Sequence, residues 1–283
     1  MVVAGAGSGK TRVITYRIAH LIRERGVDPE SVLAITFTNK AAGEMKERIR
    51  GMLDHAGASP WVSTFHSFCL RMLRKHISEL GFSNDFAIYD AQDQLTLIKQ
   101  CMKAAQISTD AFPPKSLLNG ISGFKNDFLL PEQLDLDSMS YGNQMKAGEL
   151  YPVYQAALKS NNALDFDDLL AFTARLLQQV SSLREHYDKK FQYILVDEFQ
   201  DTNAAQYELI RLLSRDVNNV CVVGDDDQSI YRWRGANIEN ILKFEKDYPG
   251  TTVIKLEENY RSTQNILNAA GSVVRENLNR NEK

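Results

Sequence analysis

The stretch Ala4-Gly5-Ala6-Gly7-Ser8-Gly9-Lys10-Thr11 decides the fold of this chain. Apolar Met1-Val2-Val3 precedes it, and apolar residues recur at helical spacing after it, from Val13 to Ile22. A strand, a glycine-rich loop and a helix in this order are typical of a phosphate-binding loop. In such a loop, backbone N–H groups at the start of the helix surround the phosphates of a nucleotide. The stretch therefore predicts an α/β nucleotide-binding fold.

Two side chains of this loop are predicted to contact the ligand directly. Lys10 is expected to reach the β- and γ-phosphates, and the Thr11 hydroxyl is expected to bind the Mg²⁺ that accompanies a nucleoside triphosphate. Ala4 departs from the strict pattern, which has glycine there. The residues expected to surround the phosphates are Ala6, Gly7, Ser8, Gly9, Lys10 and Thr11.

A second stretch, Val196-Asp197-Glu198-Phe199-Gln200-Asp201, ends a predicted strand at 193–197 with two adjacent acids. Asp197 is placed to bind Mg²⁺ directly or through water, and Glu198 is placed to act as a base that orients the attacking water. An isolated Asp-Glu pair is more often a solvated strand end. Because a phosphate-binding loop lies upstream, we favour an ATPase-type site that joins the two stretches.

Composition and charge narrow the class of protein further. The chain has 43% hydrophobic residues and a net charge of −3, which suits a globular fold and excludes a uniformly basic nucleic-acid coat. It has no apolar run long enough to span a membrane and no secretory signal pattern. Its cysteines, Cys69, Cys101 and Cys221, are odd in number and far apart. This spacing favours a reducing cytoplasm over a disulfide framework or a zinc site.

The pattern of strands and helices changes along the chain. Residues 1–86 alternate short apolar strands with amphipathic helices, which predicts a parallel sheet flanked by helices. Residues 87–162 are dominated by helical patterns, which the polar and glycine-rich stretch 135–148 is expected to interrupt. We therefore predict an inserted all-helical subdomain there. Strands are expected at 32–37, 61–65, 193–197, 220–224 and 253–256, and helices of the insertion at 91–105, 115–125 and 150–159.

A third informative segment, residues 222–235, follows the strand predicted at 220–224. Three acids are followed by Gln228 and then by Tyr231, Trp233 and Arg234. Aromatic residues interleaved with arginines suit a platform on which single-stranded nucleic acid stacks. Gln228 is placed to connect that platform with the nucleotide. The alternative is a surface loop with an anchoring tryptophan.

Other strand ends carry weaker signals. Phe37 and Asn39 lie at the end of one predicted strand, and Thr64 and His66 lie at the end of the next, at the edge where open α/β sheets bind ligands. Such residues can stack a base or bond a phosphate. Taken alone, the first pair is more often explained by ordinary capping with Thr38 or Asn39, and His66 by a helix-start or core position. Arg261, after the last strand, could reach a γ-phosphate.

The chain as a whole resembles the UvrD/Rep/PcrA family of superfamily 1A DNA helicases, most closely the UvrD type. The blocks that carry the resemblance, in order along the chain, are AGAGSGKT (4–11), ITFTNKAAGEM (35–45), STFHSF (63–68), LDFDDLL (164–170), VDEFQDTN (196–203), VVGDDDQSIYRWRGA (222–236) and LEENYRS (256–262). Alanine at position 4 is the usual form in this family. The resemblance implies a RecA-like P-loop ATPase domain at 1–86 and 163–258, a helical insertion at 87–162, and the start of a second motor domain at 259–283.

The resemblance also implies a role for each candidate residue. Lys10 and Thr11 would bind phosphates and Mg²⁺, and Asp197 and Glu198 would serve the metal and the attacking water. Gln228 and Arg261 would sense the γ-phosphate of ATP. Arg12 and Tyr260 would flank the adenine. The residues that would line the path of single-stranded DNA are Phe37, Asn39, Thr64, His66, Tyr231, Trp233 and Arg234.

The activity implied is that of the N-terminal half of an ATP-dependent 3′-to-5′ DNA helicase or translocase. It would act in DNA repair or replication, at single-strand/double-strand junctions and with repair proteins, in the bacterial nucleoid. We expect the sequence to be an N-terminal fragment, because Met1 lies within the first predicted strand and the family's second motor domain does not follow. The chain alone is then expected to be nearly inactive.

Three other functions use some of the same motifs. A helicase–nuclease subunit and a non-catalytic DNA-binding module remain alternatives. A GTPase-type switch is disfavoured, because Asn39-Lys40 is followed by Ala41-Ala42 and not by the acid that reads guanine.

Overall fold

A computed structural model describes residues 1–53, 57–215, 219–231 and 235–274. The chain divides into two compact units. We call Met1–Phe65 with Ser182–Lys283 the sheet unit, and His66–Ser181 the helical unit. Among the described residues, no helix is both long enough and apolar enough to cross a membrane.

The sheet unit contains six strands that pair in parallel, in the order β3-β2-β6-β7-β1-β8. β1 lies between β7 and β8, with Val2 beside Val223 and Ile254. Every residue of β2 is buried, as expected for a parallel strand covered on both faces. The strands are β1 (Val2–Ala4), β2 (Val32–Thr36), β3 (Trp61–Thr64), β6 (Tyr193–Val196), β7 (Val220–Gly224) and β8 (Ile254–Leu256).

Helices cover this sheet. Ile14 and Ile18 are fully buried on α1, four residues apart, so that one apolar stripe of the helix faces the sheet. Met45 and Ile49 make the same stripe on α2. The helices of this unit are α1 (Lys10–Arg23), α2 (Asn39–Met52), α8 (Ser181–Lys190), α9 (Ala204–Leu213), α10 (Glu239–Asp247) and α11 (Gln264–Val274), and α3 (Phe65–His76) starts in it.

The helical unit has its own core, centred on α6. Leu150, Tyr154 and Leu158 of α6 are fully buried against α4 and α5. A second feature is the fully buried Lys125, which contacts Asp165 at 2.6 Å and Asp168 at 2.7 Å. Its elements are α4 (Ala91–Ala104), α5 (Pro114–Asn126), α6 (Asn143–Ser160), α7 (Phe166–Gln179) and the strands β4 (Ala87–Ile88) and β5 (Ala163–Leu164).

The fold class predicted from the sequence is confirmed: a parallel sheet flanked by helices, with a largely helical insertion. Two details differ. β4 and β5 form a parallel pair, which two-residue strands are too short to reveal as a pattern. The predicted break at 135–148 is also wrong over its second half, because α6 already starts at Asn143. Gly148 lies within this helix and packs closely on the preceding segment, because a Cβ there would be 2.6 Å from Leu136 Cδ2.

Candidate active site

The phosphate-binding loop lies between the carboxyl end of β1 and the start of α1. Gly7 has φ 77° and Gly9 has φ 93°, both in the left-handed region that glycine adopts without strain. Ser8 closes the turn, because its N–H and its hydroxyl both donate to Gly5 O, at 3.3 and 2.7 Å. Gly9 gives α1 no side-chain cap and the first turn contains no acid. The backbone N–H groups of that turn are therefore suited to an anion such as a phosphate.

Lys10 is almost completely buried, with 8% of its surface exposed, and it lies among acids. Its Nζ is 3.3 Å from the carboxylate of Glu198 and 3.9 Å from that of Asp225. These three residues follow β1, β6 and β7, which are neighbours in the sheet. The parallel order thus brings together the charged residues that the sequence places almost two hundred positions apart.

Thr11 and Asp197 form the part of the site that suits a metal ion. The Thr11 hydroxyl donates to Asp197 Oδ2 at 3.0 Å, and Asp197 is 2% exposed. Burial, and then the charge of Glu198, raise the pKa of Asp197 to about 6, whereas the bond from Thr11 and the charge of Lys10 oppose that rise. A hydroxyl and a carboxylate are oxygen ligands of the type Mg²⁺ prefers, and a bound cation would favour the ionised carboxylate.

Glu198 has an unusual backbone. Its φ of 49° is in the left-handed region, which a residue with a side chain adopts only at a cost of about 1–3 kcal/mol. Its carboxylate contacts Lys10 and accepts a hydrogen bond of 2.9 Å from Gln200 Nε2. Sequence reasoning did not single out Gln200. The available signal was its position between the two acids Glu198 and Asp201 of the same stretch.

Gln228 and Arg261 both lie beside these groups. Gln228 Nε2 donates to Asp225 Oδ2, the carboxylate nearest Lys10 after Glu198. Arg261 lies against the phosphate-binding loop, because a Cβ at Gly7 would be 2.6 Å from Arg261 Cβ. The structure therefore brings these two predicted residues to the loop and its acids.

A hydrogen-bonded turn fixes the segment that carries Arg261. Asn259 Oδ1 accepts from the N–H groups of Arg261 and Ser262, each at 2.8 Å. Asn259 Nδ2 donates to Ala6 O, and the Tyr260 N–H donates to Gly7 O at 3.0 Å. These bonds hold two carbonyl groups of the loop, which the sequence could not show because they depend on the pairing of β8 with β1.

The two residues predicted to flank adenine are at the surface. Tyr260 is 78% exposed. The Arg12 guanidinium lies 5.2 Å from the centre of the exposed Tyr16 ring, an aromatic partner that sequence reasoning did not name. A cation over an aromatic face forms a favourable contact at this distance.

The residues predicted to bind DNA are divided between the two units. In the sheet unit, Phe37 is half-buried with its ring 5.6 Å from that of Phe65, and Thr64 is buried. Asn39 is exposed, and the cap of α2 is Thr38, whose hydroxyl accepts from the Ala41 N–H at 3.1 Å. Thr38 is thus the cap that the capping alternative predicts, and Asn39 is the first residue of α2.

Tyr231 belongs to the sheet unit and is 40% exposed, whereas Trp233 and Arg234 lie outside the described residues. In the helical unit, His66 pairs with Phe166, with ring centres 5.9 Å apart, and burial lowers the pKa of His66. Phe166 is 53% exposed and was not among the predicted residues. Its position between Asp165 and Asp167, in a block otherwise rich in leucine, was the available signal.

Comparisons with known proteins agree with the sequence motifs. Residues 1–249 match the family described as the UvrD/REP helicase N-terminal domain. The chain is 51% identical over 283 residues to the ATP-dependent DNA helicase PcrA of Bacillus subtilis (strain 168); the match covers 100% of this chain and 38% of that protein. It is 50% identical to the PcrA helicases of Staphylococcus aureus (strain Mu50 / ATCC 700699) and Staphylococcus epidermidis (strain ATCC 35984), covering 39% of each. The chain thus spans less than two-fifths of the length of these relatives.

The raised pKa of Asp197 predicts a pH-dependent stability. The unfolded chain ionises this group near its usual pKa of 3.8, but the folded chain keeps the proton up to about 6, so ionisation at neutral pH opposes folding. Asp197→Asn should therefore raise the free energy of unfolding by about 2–3 kcal/mol at pH 7 without Mg²⁺. Because the gain follows ionisation, it should grow as pH rises from 3.8 to about 6 and vanish below that range.

Urea unfolding at several pH values measures this gain. Asp110→Asn, at an exposed position, is the matched control and should change little. A gain for Asp197→Asn that is the same at every pH would contradict the assignment.

Proposed function

Because the chain belongs to the UvrD/REP helicase N-terminal domain family, we propose that it is the ATP-binding and single-stranded-DNA-binding part of an ATP-dependent DNA helicase. The observation that carries the proposal is the meeting of Lys10, Thr11, Asp197 and Glu198 at one edge of the sheet. Translocation from 3′ to 5′, a role in repair or replication at strand junctions with repair proteins, and a location in the bacterial nucleoid belong to the same proposal.

We infer an exchange of charge partners when ATP binds. Lys10 now contacts Glu198 at 3.3 Å, and its new partners would be the β- and γ-phosphates. Glu198 would then be released to orient a water molecule and accept its proton. Thr11 and Asp197 would hold Mg²⁺, which, when bound, supplies positive charge to the phosphate oxygens. The ion pair between Lys10 and Glu198 would thus keep the base occupied until the nucleotide is in place.

Gln228 and Arg261 are proposed to contact the γ-phosphate. Gln228 has an uncharged amide and Arg261 has a cationic guanidinium, and either group can donate a hydrogen bond to a phosphate oxygen. The Gln228 side chain is held by Asp225, and the Arg261 backbone is held by Asn259. Arg12 and Tyr260 are proposed to flank the adenine, with their exposed surfaces available for stacking.

Single-stranded DNA is proposed to stack on aromatic residues. Phe37 and Tyr231, with Asn39 and Thr64, would contribute from the sheet unit, and His66 would contribute from the helical unit. We add Phe166 to this set because its exposed ring is paired with that of His66. Trp233 and Arg234 complete the proposal on the basis of the sequence. Since the net charge is −3, stacking rather than overall charge would dominate binding.

The domain boundaries predicted from the sequence are kept as a proposal. Residues 1–86 and 163–258 would form the first motor domain, 87–162 the insertion, and 259–283 the start of a second motor domain. The helical unit, His66–Ser181, includes more residues than that insertion. One reason is that α7 packs on α5, and Asp167 accepts a hydrogen bond of 2.6 Å from Ser122.

The first test concerns nucleotide binding. Lys10→Ala should weaken binding of ATP and Mg²⁺ by about 10- to 150-fold, since a charge-assisted contact is worth about 1.5–3 kcal/mol. Isothermal titration calorimetry measures this loss. Lys46→Ala, at an exposed position of α2, is the control and should bind as the unchanged chain does. Equal ATP affinity in Lys10→Ala and in the unchanged chain would refute the phosphate-binding role.

The second test concerns DNA. Trp233→Ala should cost about 1–3 kcal/mol of affinity for single-stranded DNA, with little dependence on base sequence, because a stacked base is lost. Fluorescence anisotropy with a labelled oligonucleotide measures the affinity. Tyr141→Ala removes an aromatic ring that is 77% exposed and lies outside the proposed path, so it should have no effect. Unchanged affinity in a folded Trp233→Ala variant would instead indicate a structural tryptophan.

The third test concerns turnover by the 283-residue chain. The arginine finger implied by the family belongs to the second motor domain, and the lack of such a finger typically costs a factor of about 10³–10⁵ in rate. Multiple-turnover phosphate release should therefore be negligible with saturating single-stranded DNA, and strand separation should be absent. Rapid turnover by this chain, abolished by Glu198→Gln, would show that the site is complete without another domain.

A further inference from the structure

We propose that Gln200 is a positioning residue, which holds the carboxylate of Glu198 and ties it to residues 225–231. We call these residues the acidic segment, after Asp225, Asp226 and Asp227. The inference rests on the proposed function, because it assigns a role to a side chain within the same site. It adds a connection between the base and the segment that ends at Tyr231.

The amide of Gln200 uses both of its ends. Gln200 is 1% exposed, its Nε2 donates to Glu198 Oε2 at 2.9 Å, and its Oε1 accepts from the Asp225 N–H at 2.9 Å. Its backbone O also accepts from the Ser229 hydroxyl at 3.3 Å. A backbone N–H can only donate and a carboxylate can only accept, so the amide has a single orientation that satisfies both neighbours.

The end of β7 is shaped to admit this side chain. A Cβ at Gly224 would lie 2.9 Å from Gln200 Oε1 and 2.8 Å from Ile241 Cδ1. Glycine at this position therefore allows the amide to reach the backbone of Asp225. The bridge therefore depends on packing among three parts of the chain: the stretch that contains Gln200, the end of β7, and Ile241 of α10.

The bridge has a chemical purpose once ATP is bound. Lys10 and Gln200 are the donors that contact the Glu198 carboxylate, at 3.3 and 2.9 Å. When Lys10 turns to the phosphates, Gln200 still holds the Glu198 carboxylate. The left-handed backbone of Glu198 points this side chain in a direction that few residues adopt. A neutral amide forms a weaker bond than an ammonium group, so it orients the base without adding a positive charge beside the water that must be deprotonated.

The same bridge provides a route from DNA to the base. The acidic segment starts at the Asp225 N–H that Gln200 holds, carries Gln228, and ends at the exposed Tyr231. A shift of this segment on DNA binding would reach Glu198 through two hydrogen bonds and one side chain. Coupling of this kind requires a physical element that both sites contact, and Gln200 is such an element.

Two substitutions separate the parts of the bridge. Gln200→Glu keeps an oxygen that can accept from the Asp225 N–H but replaces the donor to Glu198 with a second acid. Gln200→Leu removes both bonds. The matched control is Gln206→Glu, because Gln206 is also buried and its Oε1 accepts from the Asn203 N–H at 3.0 Å in a capping box that glutamate equally forms.

The readouts are ATP affinity by calorimetry and single-turnover ATP hydrolysis, with the chain in excess over labelled ATP and Mg²⁺ and followed over hours, so that the slow hydrolysis expected of this chain is still measured. Hydrolysis is measured with and without a thymidine oligonucleotide. Gln200→Glu and Gln200→Leu should both lower the rate constant by roughly 10- to 100-fold, because a misplaced base loses its geometry. ATP affinity should stay within about threefold, since the phosphate contacts of Lys10 and the loop are unchanged. The effect of DNA on the rate should be lost in both variants and kept in Gln206→Glu.

The results distinguish a failure of the role proposed for Gln200 from a failure of the proposed function. A Gln200→Glu chain with the original rate and the original response to DNA overturns the inference. A loss of rate matched by an equal loss of ATP affinity also overturns it, because Gln200 would then serve nucleotide binding or folding. If the unchanged chain binds no ATP, or if Glu198→Gln hydrolyses ATP equally fast, the proposed function itself fails and the inference fails with it.

Discussion

The parallel order of the sheet is the constraint on which the candidate site depends. β1, β7 and β6 are consecutive neighbours, and their carboxyl ends lie at the same edge. The contact between Thr11 and Asp197 therefore spans 186 positions of sequence but only 3.0 Å of space. The helical unit is inserted in the chain between β3 and β6 without interrupting this order, because β6 returns to pair with β2. Because of that pairing, the residues that follow these strands lie together at the site.

The charged side chains at this edge are unbalanced, with more acids than bases. Lys10 is the buried cation among three acids, Glu198, Asp225 and Asp197, and the pKa of Asp197 is raised because its ionisation is opposed by burial. Glu198 also has a backbone conformation that costs free energy. Such features lower the stability of the fold, and they are typical of functional sites.

Much of this arrangement could be predicted from the sequence, because it follows from local patterns. The glycine-rich loop requires left-handed residues, which Gly7 and Gly9 supply, and the run Tyr193–Val196 ends in acids at a strand tip. The strand positions follow for the same reason, since buried parallel strands are continuous apolar runs.

The remaining features depend on packing between distant parts of the chain. Gln200 could as well have been a surface or capping residue, and only the close approach of Gly224 reveals its bridge. Asn259 touches the loop because β8 pairs with β1. The close packing of Gly148 on Leu136 is likewise a contact between separate segments. No local pattern contains these contacts, so sequence reasoning missed them.

We propose that Lys10 exchanges the Glu198 carboxylate for the phosphates of ATP. A crystal structure of this chain with a non-hydrolysable ATP analogue and Mg²⁺ tests it most directly, through the position of Lys10 Nζ. We expect Nζ to leave Glu198 and contact the β- and γ-phosphates, while Thr11 and Asp197 hold the metal and Gln200 keeps its bond to Glu198. A nucleotide bound away from the loop, or a Lys10 that stays paired with Glu198 beside a bound triphosphate, would contradict it.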